Sequence, residues 1–301
     1  MLEPAAAPPP ANFRAVAPLA LRQAAKQCAL NARGARLMRL FATAVYHLPD
    51  ANAVARVAPV TSIETLTQLD TSVRVTRWLN DIGFPAVEPL PVDQPVTSRR
   101  CAVTFWRYLP QQGLAPRPSD LGRLLRQLHR LASPPVRLPT CQPLTPVRQA
   151  IESSHAISEA ERVWLSDRCE QLQNAYDRLT FALSSGMIHG DAYRGNLLRD
   201  QHRVVLADWD AVSTGPREID LIPTLQASRF GLQANEREAF IGAYGQDIRA
   251  WAGYRTLHDI RELSTTTALL RDAHLDATRH QELRVRLRTL RTGDDRPWTA
   301  F

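Results

Sequence analysis

The feature that most constrains the fold is residues 187–198, in which His-Gly-Asp is followed by four residues and an asparagine. A second apolar run, residues 204–207, ends at Asp208. Short apolar runs separated by polar turn residues are typical of strands joined in hairpins. The stretch therefore predicts a loop, a hairpin and a strand end that gather Asp191, Asn196 and Asp208.

These three side chains suit phosphoryl transfer. One carboxylate must orient an attacking hydroxyl and accept its proton, while an amide oxygen and a second carboxylate hold Mg²⁺ on the nucleotide phosphates. Mg²⁺ prefers oxygen ligands, which Asn196 and Asp208 supply. The five-residue step from Asp191 to Asn196 also equals the step in the catalytic loop of protein kinases. The alternative for Asp191 is a turn carboxylate beside Gly190, which would leave the second motif unexplained.

On these residues the sequence resembles the aminoglycoside phosphotransferase and choline kinase group, a phosphotransferase enzyme family with a protein-kinase-like fold. His-Gly-Asp at 189–191 stands where kinases have His-Arg-Asp, and Asp-Trp-Asp at 208–210 stands where they have Asp-Phe-Gly. The segment 215–221 also resembles that group. The order of elements is similar over residues 33–270, but the specific motifs lie within 187–221.

The resemblance implies a role for each motif residue. Asp191 would be the catalytic base, and Asn196 and Asp208 would bind Mg²⁺. His189 and Asp220 would be structural and would hold the backbone of the catalytic loop. The implied co-substrate is ATP or GTP, and the implied acceptor is a hydroxyl of a small molecule.

The elements predicted before residue 110 form a small β-rich lobe. One helix is predicted at 17–32, and another runs from a capping box at Thr61 to Gly83. Five strands are predicted by their apolar and β-branched residues, at 36–40, 44–48, 53–57, 87–92 and 101–109. Beyond them the chain is mostly helical, with helices at 118–131 and 158–183 and a proline-rich connector at 132–146.

This order predicts an α+β, protein-kinase-like fold of two lobes. We expect a disordered tail at 1–16, a nucleotide-binding lobe at 17–109, and a mainly helical catalytic and acceptor-binding lobe at 110–301.

The resemblance also implies a phosphate-facing cation on the third predicted strand, and Arg56 is the residue at that position. It shares a strand face with Val54, so its charge lies among apolar neighbours. A forked guanidinium can bind phosphate through two hydrogen bonds. The alternative is a solvent-facing strand residue. The glutamate that should pair with this cation is expected at Ser72, which cannot form the pair, so Asp70 or Glu64 is expected to replace it.

The sequence allows two roles for each of three further acidic residues. Asp210 either contacts the metal or caps a turn, and the turn is favoured. Asp259 and Glu262 are three apart and share one face of a predicted helix. They either present two carboxylates to an amine-bearing acceptor or, as favoured, lie on an exposed surface paired with Arg255 and Arg261.

Composition excludes several classes of protein. The 301 residues are 44% hydrophobic and 22% charged, which excludes global disorder, and the four cysteines lack the spacing of a disulfide framework or zinc site. Such thiols are typical of a reducing, cytoplasmic location. No apolar run of membrane-spanning length is present, so no membrane partner is expected. The net charge of +7 is weak support for nucleic-acid binding, and no nucleic-acid partner is expected.

The sequence thus predicts an ATP-dependent phosphotransferase that moves a γ-phosphate to a hydroxyl of a small molecule, either an aminoglycoside-type antibiotic or a metabolite. The alternative is a catalytically weak, nucleotide-binding pseudokinase acting through interactions, which the missing glutamate at Ser72 supports. A protein kinase is disfavoured because the segment 208–220 is too short for an activation loop.

Overall fold

The N-terminal lobe is built around one antiparallel sheet, in a computed structural model that describes residues 12–300. The strand order is β1-β2-β3-β5-β4. The strands are β1 Arg36–Leu40, β2 Ala44–Leu48, β3 Ala53–Pro59, β4 Val96–Ser98 and β5 Cys101–Arg107. Helix α1, Phe13–Gln27, packs on one face of this sheet, and helix α2, Ile63–Asp81, follows β3.

Strand β3 shows how the sequence separates the two faces of the sheet. Ala53, Ala55 and Val57 are fully buried and pack in the same core as α1, while Val54 and Arg56 point to the opposite face. Successive side chains on a strand alternate between faces, so the small residues let α1 approach closely. The opposite face, carrying Arg56, is left to the cleft between the lobes.

Helix α1 begins at Phe13 rather than at residue 17, because Phe13 and Ala17 are buried in the core beneath the sheet. Residues 13–16, which the sequence assigned to the tail, therefore belong to this helix. Residues 1–11 of the predicted tail lie outside the described residues.

The strand predicted at 87–92 is absent from the described chain. This segment forms only isolated bridges, Ala86 with Leu206 and Pro89 with Trp106. Proline has no N–H to donate to a ladder, and Pro89 and Pro91 interrupt the run. The fifth strand of the sheet is instead β4, Val96–Ser98.

The C-terminal lobe contains two small two-stranded sheets that lie among helices. Strand β6 pairs with β9, and β7 pairs with β8, both antiparallel. The strands are β6 Ser185–Ile188, β7 Leu197–Asp200, β8 Arg203–Leu206 and β9 Ser213–Pro216. The helices are α3 Pro118–Leu128, α4 Thr145–Ser153, α5 Glu159–Tyr176, α6 Glu218–Leu225, α7 Ala234–Tyr244, α8 Tyr254–Ser264, α9 Thr267–Asp272 and α10 Ala277–Thr292.

Helices α4 and α5 show the largest differences from the prediction in this lobe. Helix α5 opens with a capping box, in which Ser158 and Glu161 satisfy each other's backbone N–H groups, but it ends at Tyr176 rather than 183. Helix α4 was not predicted, since it begins at Thr145 inside the proline-rich connector, where Pro146 occupies the first turn. Proline is well tolerated there because first-turn N–H groups have no partner within the helix. None of the described helices is both long and apolar enough to span a bilayer.

Candidate active site

The His-Gly-Asp loop depends on a glycine at its centre. Gly190 has φ +83°, in the left-handed region, and a Cβ at this position would lie 2.2 Å from the carbonyl oxygen of Ala211. No side chain fits against a backbone atom at that distance. The glycine therefore allows the catalytic loop to lie directly against the turn that follows Asp208.

Asp220 fixes the backbone of this loop from below, as predicted. Its Oδ2 accepts a hydrogen bond from the His189 N–H and its Oδ1 accepts one from the Gly190 N–H, both at 2.8 Å. His129 Nε2 lies 3.1 Å from Oδ2, and His129 Nδ1 is bonded to the Tyr244 hydroxyl. Burial alone would raise the pKa of this carboxyl, but the hydrogen bond and charge of His129 and the loop outweigh burial and lower the pKa. His129 is thus a packed, hydrogen-bonded histidine.

His189 connects the two motifs through its ring. Its Nδ1 accepts a hydrogen bond from the Asp191 N–H at 3.3 Å, and its Nε2 lies 3.0 Å from the carbonyl oxygen of Ala207. This pairing places the ring proton on Nε2. The fully buried ring also contacts Trp209. His189 is therefore structural, as predicted, and holds the His-Gly-Asp loop against the strand end before Asp208.

Asn196 is brought beside Asp191 by a short 3₁₀ turn, Arg194–Asn196. Its side-chain N–H donates to the carbonyl oxygen of Asp191 at 2.9 Å, and its own carbonyl accepts from the Ala207 N–H. The amide nitrogen is thereby used for structure. The side-chain oxygen, the atom suited to a cation, takes part in no hydrogen bond described for this residue.

Asp191 is the exposed carboxylate of the loop, with a side chain 42% accessible to solvent. Arg261 of α8 donates from Nη1 to Asp191 Oδ1 at 3.0 Å. The sequence placed Arg261 as a surface partner of Asp259 and Glu262, and that pairing is wrong because Arg261 pairs with Asp191 instead. The contact places a cation beside the carboxylate that the motif predicts to be the base.

Arg56 binds two carboxylates of the second motif. Its Nη1 lies 3.0 Å from Asp208 Oδ1, and its Nη2 donates to Asp210 Oδ2 at 2.8 Å. A second hydrogen bond, from Nη1 to Asp210 Oδ1, measures 3.3 Å. Burial alone would lower the pKa of the guanidinium, but the charges of Asp210 and Asp208 outweigh burial and raise it. Arg56 is thus directed into the cleft rather than to solvent.

Asp208 has φ +66°, a left-handed conformation that non-glycine residues adopt at some cost. The next residue, Trp209, is fully buried and donates from Nε1 to the carbonyl oxygen of Leu206 at 2.9 Å. The buried indole anchors the turn Trp209–Ala211, so the strained backbone is held by packing. This turn presents Asp208 and Asp210 to the same guanidinium.

The expected substitutes for the helix glutamate are not the partners of Arg56. Asp70 pairs with Arg74 on the exposed face of α2, and Glu64 is exposed in the first turn of that helix. The carboxylate comes instead from Asp210, so the interpretation of Asp210 as a turn cap is wrong. Asp210 does belong to the turn, but its side chain binds Arg56.

The two interpretations of Asp259 and Glu262 are both wrong in part. Asp259 pairs with Arg168 and Arg255, each at 2.8 Å, and Glu262 is buried and pairs with Arg229. Both carboxylates are neutralised by arginines, which leaves no acidic pocket for an amine. Glu262 is not on an exposed surface either.

A helix turns about 100° per residue, which explains why Arg261 behaves differently from these neighbours. Arg261 is rotated about 100° from Glu262 and about 200° from Asp259 around the α8 axis. It therefore contacts the catalytic loop, while the two carboxylates face α5 and the 3₁₀ turn Ala227–Phe230.

Tyr193 is near enough to both motif carboxylates for their charges to act on its hydroxyl. Burial raises the pKa of its hydroxyl, and the charges of Asp191 and Asp208 add to that effect, while Arg39 and Arg261 oppose it. Arg39 lies on β1, whose loop to β2 carries Phe41, and the Phe41 ring is 5.1 Å from the guanidinium of Arg279 on α10. The β1–β2 loop thus reaches across the cleft to the C-terminal lobe.

Solved structures share this fold over nearly the whole chain. Amicoumacin kinase hAmiN, solved with AMP-PNP, Ca²⁺ and its ligand, is 14% identical with a TM-score of 0.71, covering 95% of this chain and 98% of that one. The microcompartment-associated aminopropanol kinase is 15% identical with a TM-score of 0.68, covering 90% and 94%. Choline kinase LicA from Streptococcus pneumoniae is 12% identical with a TM-score of 0.58, covering 89% and 97%. The protein-kinase-like two-lobe fold is therefore confirmed.

No curated protein matches the sequence. The model of the phosphotransferase enzyme family (APH) matches residues 35–257, which include Arg56 and both motifs but stop short of Arg261. This match confirms the predicted resemblance and the class of small-molecule kinases. With most of its length covered, the chain belongs to the phosphotransferase enzyme family.

Proposed function

We propose that this protein transfers the γ-phosphate of ATP, or of GTP, to a hydroxyl of a small molecule. The observation that carries the proposal is the contrast within the catalytic loop. His189, Asn196 and Asp220 are buried and hydrogen-bonded to backbone, whereas the Asp191 carboxylate at the centre of the loop is 42% exposed. An accessible carboxylate on a rigid loop is what a general base requires.

Asn196 of the first motif and Asp208 of the second together offer a donor set that fits a magnesium ion. The Asn196 side-chain oxygen and the Asp208 carboxylate are hard oxygen donors, and the amide nitrogen of Asn196 is already committed to the Asp191 carbonyl. These two residues would hold Mg²⁺, and Asp210 lies beside them. When bound, Mg²⁺ would neutralise charge on the nucleotide phosphates.

Arg56 supplies the matching cation from the N-terminal lobe. It is half-buried on the cleft face of β3 and its guanidinium is already directed at the second motif. The phosphates of a nucleoside triphosphate would compete with Asp208 for this guanidinium. Forked donors suit phosphate oxygens, so Arg56 would orient the phosphates toward Asp191.

Asp191 would act on the acceptor. Its carboxylate would accept a hydrogen bond from the acceptor hydroxyl, orient that oxygen toward the γ-phosphorus and take its proton as the reaction proceeds. A bond forms between the acceptor oxygen and the γ-phosphorus, the bond from that phosphorus to the bridging oxygen breaks, and the nucleoside diphosphate leaves. The charge on Arg261 would keep the carboxylate oriented before the acceptor arrives.

The charge beside the base bears on the acceptor. The relatives named above act on amicoumacin, aminopropanol or choline, but here Arg261 is the side chain on Asp191, and the carboxylates of α8 are paired with arginines. Complementarity of charge disfavours a polycation at such a site. We therefore expect an acceptor that is neutral, zwitterionic or anionic near its reacting hydroxyl.

The test is nucleoside diphosphate release, measured with ATP, Mg²⁺ and a panel of hydroxyl compounds that includes amino sugars, neutral polyols and hydroxy acids. Wild type should outpace Asp191→Asn with at least one acceptor or with water. Equal rates for both proteins across the panel would contradict the role of Asp191. ATP affinity that is the same with Mg²⁺ and with EDTA would instead favour the pseudokinase alternative.

A further inference from the structure

The environment of Ser72 raises the question of which residue holds Arg56 during catalysis. Ser72 occupies the position where the family resemblance predicts a glutamate, and it is fully buried. Its hydroxyl has no hydrogen-bond partner of normal geometry, and it lies close to Asp210. Burial raises the pKa of the Asp210 carboxyl, and the charge of Arg56 and the nearby Ser72 hydroxyl act against that rise. Helix α2 therefore packs against the second motif through a short side chain, and the carboxylate lies on the other side of the contact.

Asp210 and Asp208 share Arg56 unequally. Asp210 has both of its oxygens on the guanidinium, at 2.8 and 3.3 Å, while Asp208 uses one oxygen at 3.0 Å. Two-point contacts fix the orientation of a guanidinium, whereas a one-point contact leaves it free to pivot. Asp210 is therefore the partner that sets the direction in which Arg56 points.

The proposed function gives Asp208 a second task. If Asp208 binds Mg²⁺, it can no longer neutralise Arg56, which has a side chain only 15% exposed. A buried cation needs a permanent partner, or it loses its position when the competing ligand arrives. Asp210 can stay bound to Arg56 throughout, because binding of Mg²⁺ by Asp208 does not break the contacts between Asp210 and Arg56.

We infer that Asp210 is the positioning residue for Arg56 and replaces the glutamate that α2 lacks. The inference rests on the proposed function, because it assigns Asp210 a part in nucleotide binding. The partner of the β3 cation has moved from the helix to the turn Trp209–Ala211, where buried Trp209 anchors both carboxylates. The orientation of Arg56 then does not depend on where α2 lies.

The first experiment measures ATP affinity by calorimetry in Asp210→Asn, which keeps the size of the side chain but removes its charge. Loss of a charged hydrogen-bond partner should weaken Mg-ATP binding by about 10- to 100-fold. Asp70→Asn is the matched control, since it removes a carboxylate from α2 that pairs with exposed Arg74. Wild-type affinity in Asp210→Asn would overturn the inference.

The second experiment moves the carboxylate back to the helix. Because Ser72 is next to Asp210, a glutamate at 72 can reach the space vacated in Asp210→Ser. The exchange variant, Ser72→Glu with Asp210→Ser, should bind Mg-ATP at least about tenfold more tightly than Asp210→Ser alone. A residue needed only for folding would not be rescued this way, so an exchange variant that folds but binds ATP no better overturns the inference.

The third comparison tests whether Asp210 positions Arg56 or binds the metal. It also distinguishes failure of this inference from failure of the proposed function. In Asp210→Asn the ratio of ATP affinities with Mg²⁺ and with EDTA should stay near that of wild type, because Asn196 and Asp208 remain. Loss of that ratio in Asp210→Asn would make Asp210 a metal ligand and overturn the inference. Absence of any Mg²⁺ effect in wild type would be a failure of the proposed function, recognisable before any variant is made.

Discussion

The two sides of the cleft are built in different ways. The proposed nucleotide side, Arg56 with Asn196, Asp208 and Asp210, is a set of interlocked charges and amides, and all but Arg56 lie within fifteen residues of chain. The proposed acceptor side, Asp191 with Arg261, joins the loop to a helix seventy residues away through one hydrogen bond. The nucleotide side is therefore held by its own local structure, whereas the acceptor side depends on how α8 packs.

The difference has a chemical reason. Phosphates and a divalent cation require the same oxygens and cations whatever the acceptor is, so the nucleotide side can be encoded in a short motif. An acceptor site needs only an hydroxyl within reach of Asp191, and its remaining contacts come from helices that can vary. Variants that affect one side and spare the other test this division.

The largest effect is expected from Asp191→Asn. Removing a general base should lower turnover by about 10²–10⁴-fold, while ATP affinity stays close to that of wild type. The Asn196 bond is made to the backbone carbonyl of residue 191, so the substitution leaves it intact. Steady-state kinetics and calorimetry check the two halves of this prediction.

Asp208→Ala provides the reciprocal case. It should abolish the tightening of ATP binding by Mg²⁺, because the carboxylate suited to the metal is gone. If Asp191→Asn weakened ATP binding as much as Asp208→Ala did, the two sides would not be separable.

The next largest effect concerns stability on α8. Glu262→Ala leaves buried Arg229 without its carboxylate, so it should cost about 3–5 kcal/mol of unfolding free energy. Asp259→Ala should cost about 1 kcal/mol or less, because its partners Arg168 and Arg255 are 36% and 74% exposed. Urea unfolding of the two variants measures both values. Similar losses in both would mean that Arg229 finds other compensation.

A smaller effect is expected from Asp220→Asn, whose loss of stability should depend on pH. The folded-state pKa of Asp220 is lowered below the ordinary value of 3.8, so its contribution is fully present above about pH 4 and is lost as pH falls through the folded pKa. Asp220→Asn should lose about 1–3 kcal/mol at pH 7, and its curve of stability against pH should approach that of wild type below pH 4. Chemical unfolding between pH 7 and 3 gives both curves, and parallel curves over this whole range would contradict the assignment.

The sequence predicted the elements of the nucleotide side because its residues are close in the chain. The HGD and DWD motifs fixed where Asp191, Asn196 and Asp208 would lie, and strand alternation placed Arg56 on the cleft face. Their catalytic and metal-binding roles stay predictions. The partner of Arg56 was missed although Asp210 was in view, since nothing in the spacing shows that a side chain after a strand reaches the other lobe.

The acceptor side could not be predicted in this way. Periodicity correctly placed Asp259 and Glu262 on one face of a helix, but it could not show which neighbour that face meets. Arg168 and Arg229, which neutralise the pair, come from distant elements. Likewise, the run at 87–92 has the residues of a strand, and only its prolines and the competing segment 96–98 exclude it from the sheet.

The smallest effect is expected from Arg261→Gln, which tests whether this cation influences acceptor choice. The pair with Asp191 is partly exposed, with side chains 28% and 42% accessible, so solvent weakens it. Exposed pairs contribute about 0.2–1 kcal/mol, which corresponds to roughly a 1.5- to 5-fold change. Removing the positive charge should raise kcat/KM for cationic acceptors relative to anionic ones by that factor and leave ATP affinity unchanged. Arg255→Gln is the matched control, because it removes an arginine from the same helix that pairs with Asp259 rather than with the base. An equal shift in acceptor preference for both variants would show that the net charge of α8, and not the contact with Asp191, acts on the acceptor.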